Sequence, residues 1–357
     1  MVLRCVLALV ILLPTYRSGS AVESLEAMAE DVPWVVNPTY VLPPDPDHPV
    51  LVLVGMYLHE ITNVTLGDQQ FTALLTLTTQ WNDPRLKFDA DKVGVYALEF
   101  QEETARRVLN NIWSPALMVF NAVSSTTVPN SLLTVYADGL VNLEVKMAVT
   151  SLYQARFLAF PFDGQDLQVI LTRFGRHNNA FRLAPLFFEA SANVPAGYRV
   201  VSNNYYSEVI PSTPEASPRA LVFEVGIERE FTYYITRHML PLLPLIFLTW
   251  TTFWMTTTEL HHRLKVIAIG MLAIITLMLF LNRDLPRVPY LTALELYFIC
   301  VFALQVVAMV ESLMVEHFNS TQRQARAASL DLRFRWIYPS LFVLIGGIVA
   351  VYAIAFH

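Results

Sequence analysis

His59 and Glu60 stand side by side, the start of a zinc-protease pattern that needs a second histidine four residues after the first. Position 63 is Asn63, so that metal set is not formed. No glycine-rich phosphate loop and no nucleophile elbow occurs anywhere in the chain. The eight histidines are scattered, and two of them, His261 and His262, flank an apolar stretch. Acid–base, metal and phosphoryl-transfer chemistry therefore lack a convergent set of groups. The chain is not read as an enzyme, and no cofactor or metal is expected. The two cysteines, Cys5 and Cys300, exclude a disulfide framework. Asn63-Val64-Thr65 and Asn319-Ser320-Thr321 both fit a glycosylation acceptor, a pattern short enough to arise by chance. A net charge of −6 without a long basic run argues against a nucleic-acid partner.

The chemistry that remains is that of membranes and of aromatic and charged side chains. Of 357 residues, 54% are hydrophobic and 15% charged, where soluble domains carry roughly 25% charged residues. The charge deficit is local. Arg4 precedes an apolar run from Cys5 to Leu13, Pro14 ends it, and small residues follow from Ser18 to Ala21. This predicts a secretory signal over residues 1–20. Four long apolar stretches, Tyr234–Met255, Leu264–Leu281, Leu291–Val315 and Trp336–Ala355, approach or exceed the ~18 residues needed to span a bilayer. Tyr233, Tyr234, Trp254, Tyr290 and Trp336 suit headgroup depth at their ends. Basic residues crowd the connections after the first stretch (His261, His262, Arg263, Lys265) and the third (Arg323, Arg326, Arg333, Arg335). Positive charge puts those connections in the cytoplasm. The N-terminal domain and the C-terminus then lie outside, extracellular or periplasmic, on a multi-pass protein of the plasma or inner membrane.

Residues 50–231 read differently. Apolar residues alternate with polar ones over Phe71–Trp81, Leu140–Val149, Leu167–Leu171 and Leu221–Ile227. Turn signals separate them at Asn82-Asp83-Pro84, Ala137-Asp138-Gly139, Asp163-Gly164, Asn178-Asn179 and Pro211–Pro214. Many short strands at this spacing predict an immunoglobulin-like all-β sandwich of about ten strands. Glu102–Val108 is compatible with a short helix. Six prolines between residues 33 and 49 predict an extended lead-in over residues 21–49. A four-helix transmembrane domain over residues 232–357 follows the sandwich.

Several short motifs occur in a fixed order. Trp81-Asn82-Asp83-Pro84-Arg85-Leu86 ends one strand, and Ile112-Trp113-Ser114-Pro115 follows the predicted helix. Phe160-Pro161-Phe162-Asp163 lies between two strands. The first apolar stretch is Tyr-rich, contains Pro241 and begins directly after a strand. Leu285-Pro286-Arg287-Val288-Pro289-Tyr290 links the second and third stretches, and Arg326-Ala327-Ala328-Ser329 precedes the last. In order and spacing these resemble the pentameric ligand-gated ion channels (the Cys-loop superfamily), in particular prokaryotic members without the loop disulfide. The resemblance covers roughly residues 50–357. It implies an outer β-sandwich on a four-helix pore domain, five copies around one axis, ligand sites between neighbouring sandwiches and a pore lined by the second helix. Membrane lipid, permeant inorganic ions and a small-molecule agonist, an amine or protons, are the expected partners of a homopentamer.

The resemblance also assigns roles. The loop Phe160, Pro161, Phe162 and Asp163 is expected to touch the membrane domain, with Asp163 offering its carboxylate to Arg229. An acidic residue between the first two strands commonly joins such a pair; Asp68 is the nearest, a few residues out of register. The linker from Pro286 to Tyr290 would receive the motion. Aromatic faces can hold a cationic ligand, and the candidates are Phe174, Tyr198, Tyr205, Tyr206 and Trp113; the alternative is that these rings fill the sandwich. Gln69 stands where a proton-sensing glutamate would be expected. Counting back from Pro286 puts Lys265, Ile269, Leu272, Thr276 and Leu279 on one helix face. That face would form apolar rings, one hydroxyl ring and an electropositive inner mouth, with Glu259 as a compensating acidic ring. Alternatively, Lys265 snorkels to the headgroups, which leaves cation or anion preference open. A membrane-anchored periplasmic receptor without conduction is the rival reading.

Overall fold

The computed structural model describes residues 31–35, 42–45, 47–174, 180–209, 219–255, 260–284 and 288–355. The expected signal segment, Asn178-Asn179, the Pro-rich segment 211–218, Glu259 and Pro286 lie outside them.

Ten strands make two facing sheets. They are β1 (Val50–Thr65), β2 (Gln70–Asn82), β3 (Ala97–Gln101), β4 (Leu117–Val119), β5 (Ala122–Tyr136), β6 (Leu140–Leu152), β7 (Gly164–Arg173), β8 (Phe181–Asn193), β9 (Tyr198–Val209) and β10 (Arg219–Arg229). One sheet has the order β3-β5-β6-β2-β1-β8 and the other β4-β7-β10-β9. The alternation seen in sequence is the pleat: Phe71, Ala73, Leu75, Leu77 and Trp81 of β2 point into the core and are buried. Ala137-Asp138-Gly139 turns β5 into β6, with Gly139 at φ +88°. A Cβ there would come 2.7 Å from the Asp83 carbonyl oxygen, so only glycine fits the turn.

The two tryptophan motifs meet in this core. Trp81 is 1% exposed and Trp113 7%, with ring centroids 6.2 Å apart in an edge-to-face contact. Phe181 packs on the other side of Trp113 at 5.9 Å. Asp83, buried, accepts from Arg85 N at 3.1 Å, Nε at 2.9 Å and Nη2 at 2.7 Å, so this motif is a self-capped corner after β2. The helix expected from Glu102 runs on to Asn111 (α1). The lead-in is not simply extended. Residues 33–35 form a helical turn that buries Trp34 and Val35 in the sandwich core, and Asn111 Nδ2 donates to Val35 O at 2.9 Å.

After β10 the chain becomes helical. Among the described residues, three helices are long and apolar enough to cross a membrane: α3 (Leu260–Asp284), α4 (Ala293–Ser320) and α5 (Gln324–Ala355). The first apolar stretch is not a uniform α-helix. Its backbone stays right-handed helical at Phe231, Tyr234, Leu240, Pro241 and Thr252, while the hydrogen-bond pattern changes from a turn at Thr232–Tyr234 to a π-helical segment at Ile235–Met239, then α2 (Leu242–Thr251) and a 3-10 turn at Thr252–Trp254. Pro241 has no N–H to give and Pro244 follows within the first turn of α2. The ladder shifts to Leu240 N donating to Ile235 O at 2.8 Å, a π-type step. The last helix begins at Gln324, twelve residues before the apolar run that announced it.

Polar groups tie the helices together. Thr249 Oγ1 of α2 donates to Gln305 Oε1 of α4 at 2.8 Å, and both face Gly270 of α3, where a Cβ would already touch them. Small residues and buried polar contacts are how membrane helices associate without a hydrophobic driving force.

Candidate functional site

The site lies where the sandwich meets the helices. Phe160-Pro161-Phe162-Asp163 connects β6 to β7, with a cis bond before Pro161. Asp163 and Arg229 are 4% and 8% exposed. Arg229 Nε donates to Asp163 Oδ1 at 2.9 Å and Nη2 to Oδ2 at 3.4 Å. Gln165 Nε2 donates to the same carboxylate at 2.6 Å and also to Arg156 O at 2.7 Å. Three rings surround the guanidinium: Phe160, Tyr198 and Tyr234, with centroids 4.9, 5.0 and 5.7 Å from Cζ. Burial by itself draws the Arg229 pKa down; the Asp163 charge and hydrogen bonds, with Tyr198 and Tyr234, outweigh it and the net shift is upward. Burial raises Tyr198 as well, against the opposing pull of Arg229.

The loop reaches further than its charge pair. Ala293 N and Leu294 N, the first two donors of α4, bond Leu158 O at 2.9 Å and Phe160 O at 3.1 Å. Thr292 and Glu295 complete a capping box on the same turn. The loop thus satisfies donors that a free helix start leaves open. Phe157 N donates to Tyr290 Oη at 3.3 Å. Phe160 and Phe157, fully buried, pack into the helix cluster with Leu294 and Phe298, while Phe162 lies against Phe231 at 5.3 Å. The Thr292-x-x-Glu295 spacing was a visible signal for this helix start; Phe157 and Leu158 carried none. Asp68 is exposed on the turn after β1 and makes none of Arg229's contacts, so the register offset keeps it apart from the pair.

The ligand candidates separate. Phe174 is 68% exposed just beyond β7, its N–H on Ala116 O at 2.8 Å. Tyr205 and Tyr206 are exposed toward the same end of β9, since Leu171 pairs with Leu221 and Leu221 with Ser207. Tyr206 and Gln168 both bond Glu224, and burial with the Glu224 charge pushes the Tyr206 phenol up to about 12. Trp113 is a core residue held between Trp81 and Phe181. Tyr198 sits at the opposite end of β9, against Arg229.

On α3, Lys265, Ile269, Leu272, Thr276 and Leu279 are all exposed. Arg263, Ile267, Gly270, Ile274 and Leu281 are buried half a turn away, against the rest of the bundle. Thr276 Oγ1 donates to Leu272 O at 2.8 Å, within the helix. Arg263, one of the basic residues of the connection before this helix, is 1% exposed and so is not available to charge an inner mouth beside Lys265. Its Nη1 and Nη2 grip Asp331 of α5 at 2.8 and 2.9 Å. Asp331→Asn should lower the unfolding midpoint of the detergent-solubilised protein, because removing one partner of a buried ion pair costs about 3–5 kcal/mol. An unchanged midpoint in differential scanning fluorimetry would show the pair to be energetically idle.

A ten-strand outer sandwich whose loop caps a membrane-crossing helix defines a membrane receptor with an outer domain joined directly to its helical bundle. Residues 39–194 match the neurotransmitter-gated ion-channel ligand binding domain family. The chain is 27% identical over 315 residues to the proton-gated ion channel of Gloeobacter violaceus, 86% of this chain and 84% of that one. It is 22% identical over 293 residues to the human gamma-aminobutyric acid receptor subunit epsilon (79% and 56%) and 24% identical over 268 residues to pH-sensitive chloride channel 2 of Drosophila melanogaster (70% and 50%). It spans most of the bacterial relative and about half the length of these two animal ones. By this domain match and these relatives the chain is similar to the pentameric ligand-gated ion channels. It is a membrane-spanning ligand-gated channel with an extracellular domain, and not an enzyme.

Proposed function

We propose that five copies of this chain close around one axis with α3 facing the lumen, and that a small agonist on the outer sandwich opens this pore. The first apolar stretch together with α3, α4 and α5 serves as a four-helix pore domain. The observation that carries the reading is the uncovered face of α3. Ile269, Leu272 and Leu279 are 62%, 65% and 62% exposed within the subunit, directly opposite the face the bundle packs. Fivefold closure turns each into an apolar ring, and such constrictions gate by dewetting. Asp163 and Arg229 would couple the sandwich to the gate, and Tyr290 would pass the motion on through the linker that includes Pro286.

The agonist reading rests on Phe174, Tyr205 and Tyr206, exposed rings toward one end of the four-stranded sheet, with Tyr205 on the face of Phe223 and Tyr206 on the face of Gln168 and Glu224. Their faces suit an amine cation. The proton-gated and pH-sensitive relatives make acid the other agonist to try. The purified protein in mild detergent should have the mass of five chains; a stable monomer or dimer would defeat the assembly. Bilayer recording with ion substitution, across an external pH series and a panel of primary amines, should then give agonist-evoked current. Intact pentamers silent under every condition would favour a membrane-anchored receptor without conduction.

A further inference from the structure

Tyr198 was grouped by sequence with the ligand aromatics, yet it packs on Arg229. A break in strand periodicity puts it there. Along β10, Phe223, Val225, Ile227 and Arg229 all turn inward and are buried. Their partners on β9 are Tyr205, Asn203, Val200 and Tyr198. The spacing changes between Asn203 and Val200 because the register shifts between Gly226 and Ile227, leaving Val201 unpaired. Strict alternation back from Tyr205 would have turned Val201 and Arg199 inward and Tyr198 outward. The extra residue reverses this, as bulges do where a side chain must be re-aimed. Arg199 accordingly faces outward and bonds Glu228 from Nε at 3.0 Å. Gly226 permits the bulge, since a Cβ there would collide with Ser202 Oγ.

The turn before β9 is stitched to the same place. Glu230 N donates to Gly197 O at 2.8 Å, and Gly197 holds φ +91°. Tyr198 is therefore fixed at the base of the β9–β10 pair, with Tyr205 and Tyr206 farther along the same strand.

We propose that Tyr198 is a positioning residue of the gating machinery: through its ring face on the Arg229 guanidinium it links movement of β9 at the ligand end to the Asp163–Arg229 pair at the membrane end. This rests on the coupling role given above to that pair. A displacement of β9 along its axis would slide the ring off the cation and alter how firmly Arg229 is held. The ring face carries this link; the phenol oxygen also hydrogen-bonds Arg229, and removing it while keeping the ring separates the two contributions.

The test is a fluorination series at position 198 in the full-length channel, made by nonsense suppression in oocytes, with external acid steps and n-propylamine as probes. Phenylalanine at 198 should leave the half-activating concentration within about threefold of wild type. Adding two and then three ring fluorines, which drain the ring face at nearly constant shape, should shift it stepwise, to roughly tenfold overall. A flat series would overturn the proposal. If wild type passes no current with either probe, the channel reading is decided by the full agonist panel given above, and the contact is read instead in the purified protein. There a Tyr198→Leu and Arg229→Lys double-mutant cycle on the unfolding midpoint should be non-additive. Strict additivity would overturn the contact independently of conduction.

Discussion

Asp163→Ala and Arg229→Ala should each abolish most agonist-evoked current while leaving agonist binding at the outer end of the sandwich near wild type. The two side chains are 4% and 8% exposed and hold one another through two hydrogen bonds. Removing either leaves a buried charge without its partner, which costs about 3–5 kcal/mol. That is far more than a surface ion pair would show. The two singles should differ in kind. Without Arg229, Asp163 still accepts from Gln165; without Asp163, the Arg229 cation keeps neutral partners alone, its three rings and the hydroxyls of Tyr198 and Tyr234, and no carboxylate to balance it. Asp163→Ala should therefore be the more damaging. The check is a double-mutant cycle on agonist activation, with surface labelling to correct for assembly. The double variant should lose clearly less than the two singles combined. A loss equal to their sum would show the residues to act independently and remove the pair from the coupling argument.

Leu272→Ala should ease opening and Lys265→Gln should change what passes. Leu272 is 65% exposed on the uncovered face of α3. In a five-copy pore its ring would be an apolar constriction that empties of water when narrow. Trimming it widens the ring and lowers its hydrophobicity at five places, so the channel should open at about tenfold lower agonist or stand partly open without any. Lys265 lies on the same face toward the N-terminus of α3, and Arg263 beside it is neutralised by Asp331. Five Lys265 ammonium groups would then be the principal fixed positive charge on this stretch of the face. Lys265→Gln should move the reversal potential in a salt gradient toward the cation's equilibrium value, because positive rings favour anions. An unchanged reversal potential would mean that Lys265 extends to the headgroups. Leu272→Ala would still report on the gate.

Side by side, these variants separate two kinds of site residue. Leu272 and Lys265 owe their expected effects to a face that one subunit leaves uncovered. Asp163 and Arg229 owe theirs to contacts complete within the subunit. Trp113 belongs to neither: held between Trp81 and Phe181, it is one of the rings that fill the sandwich.

What the sequence determined by itself was whatever depends on neighbours along the chain. Alternation of period two marked β2, β6, β7 and β10 to within a few residues, because each strand buries one face and wets the other. Uninterrupted apolar runs located α3 and α4, since a helix in lipid needs no polar side. The Phe160–Asp163 loop and Arg229 were visible through the order of short motifs. Prolines at 241 and 244, equally local, change the hydrogen-bond pattern along the first apolar stretch. Tertiary structure decided the rest. Helix α5 starts well before its apolar run, and in that early part Asp331 is held by Arg263, 68 residues away in the chain. Tyr198 faces Arg229 only because one unpaired residue, Val201, shifts the register between β9 and β10. Bulges, buried ion pairs and capped helix starts arise from which surfaces meet, and no local periodicity encodes a meeting between segments so far apart.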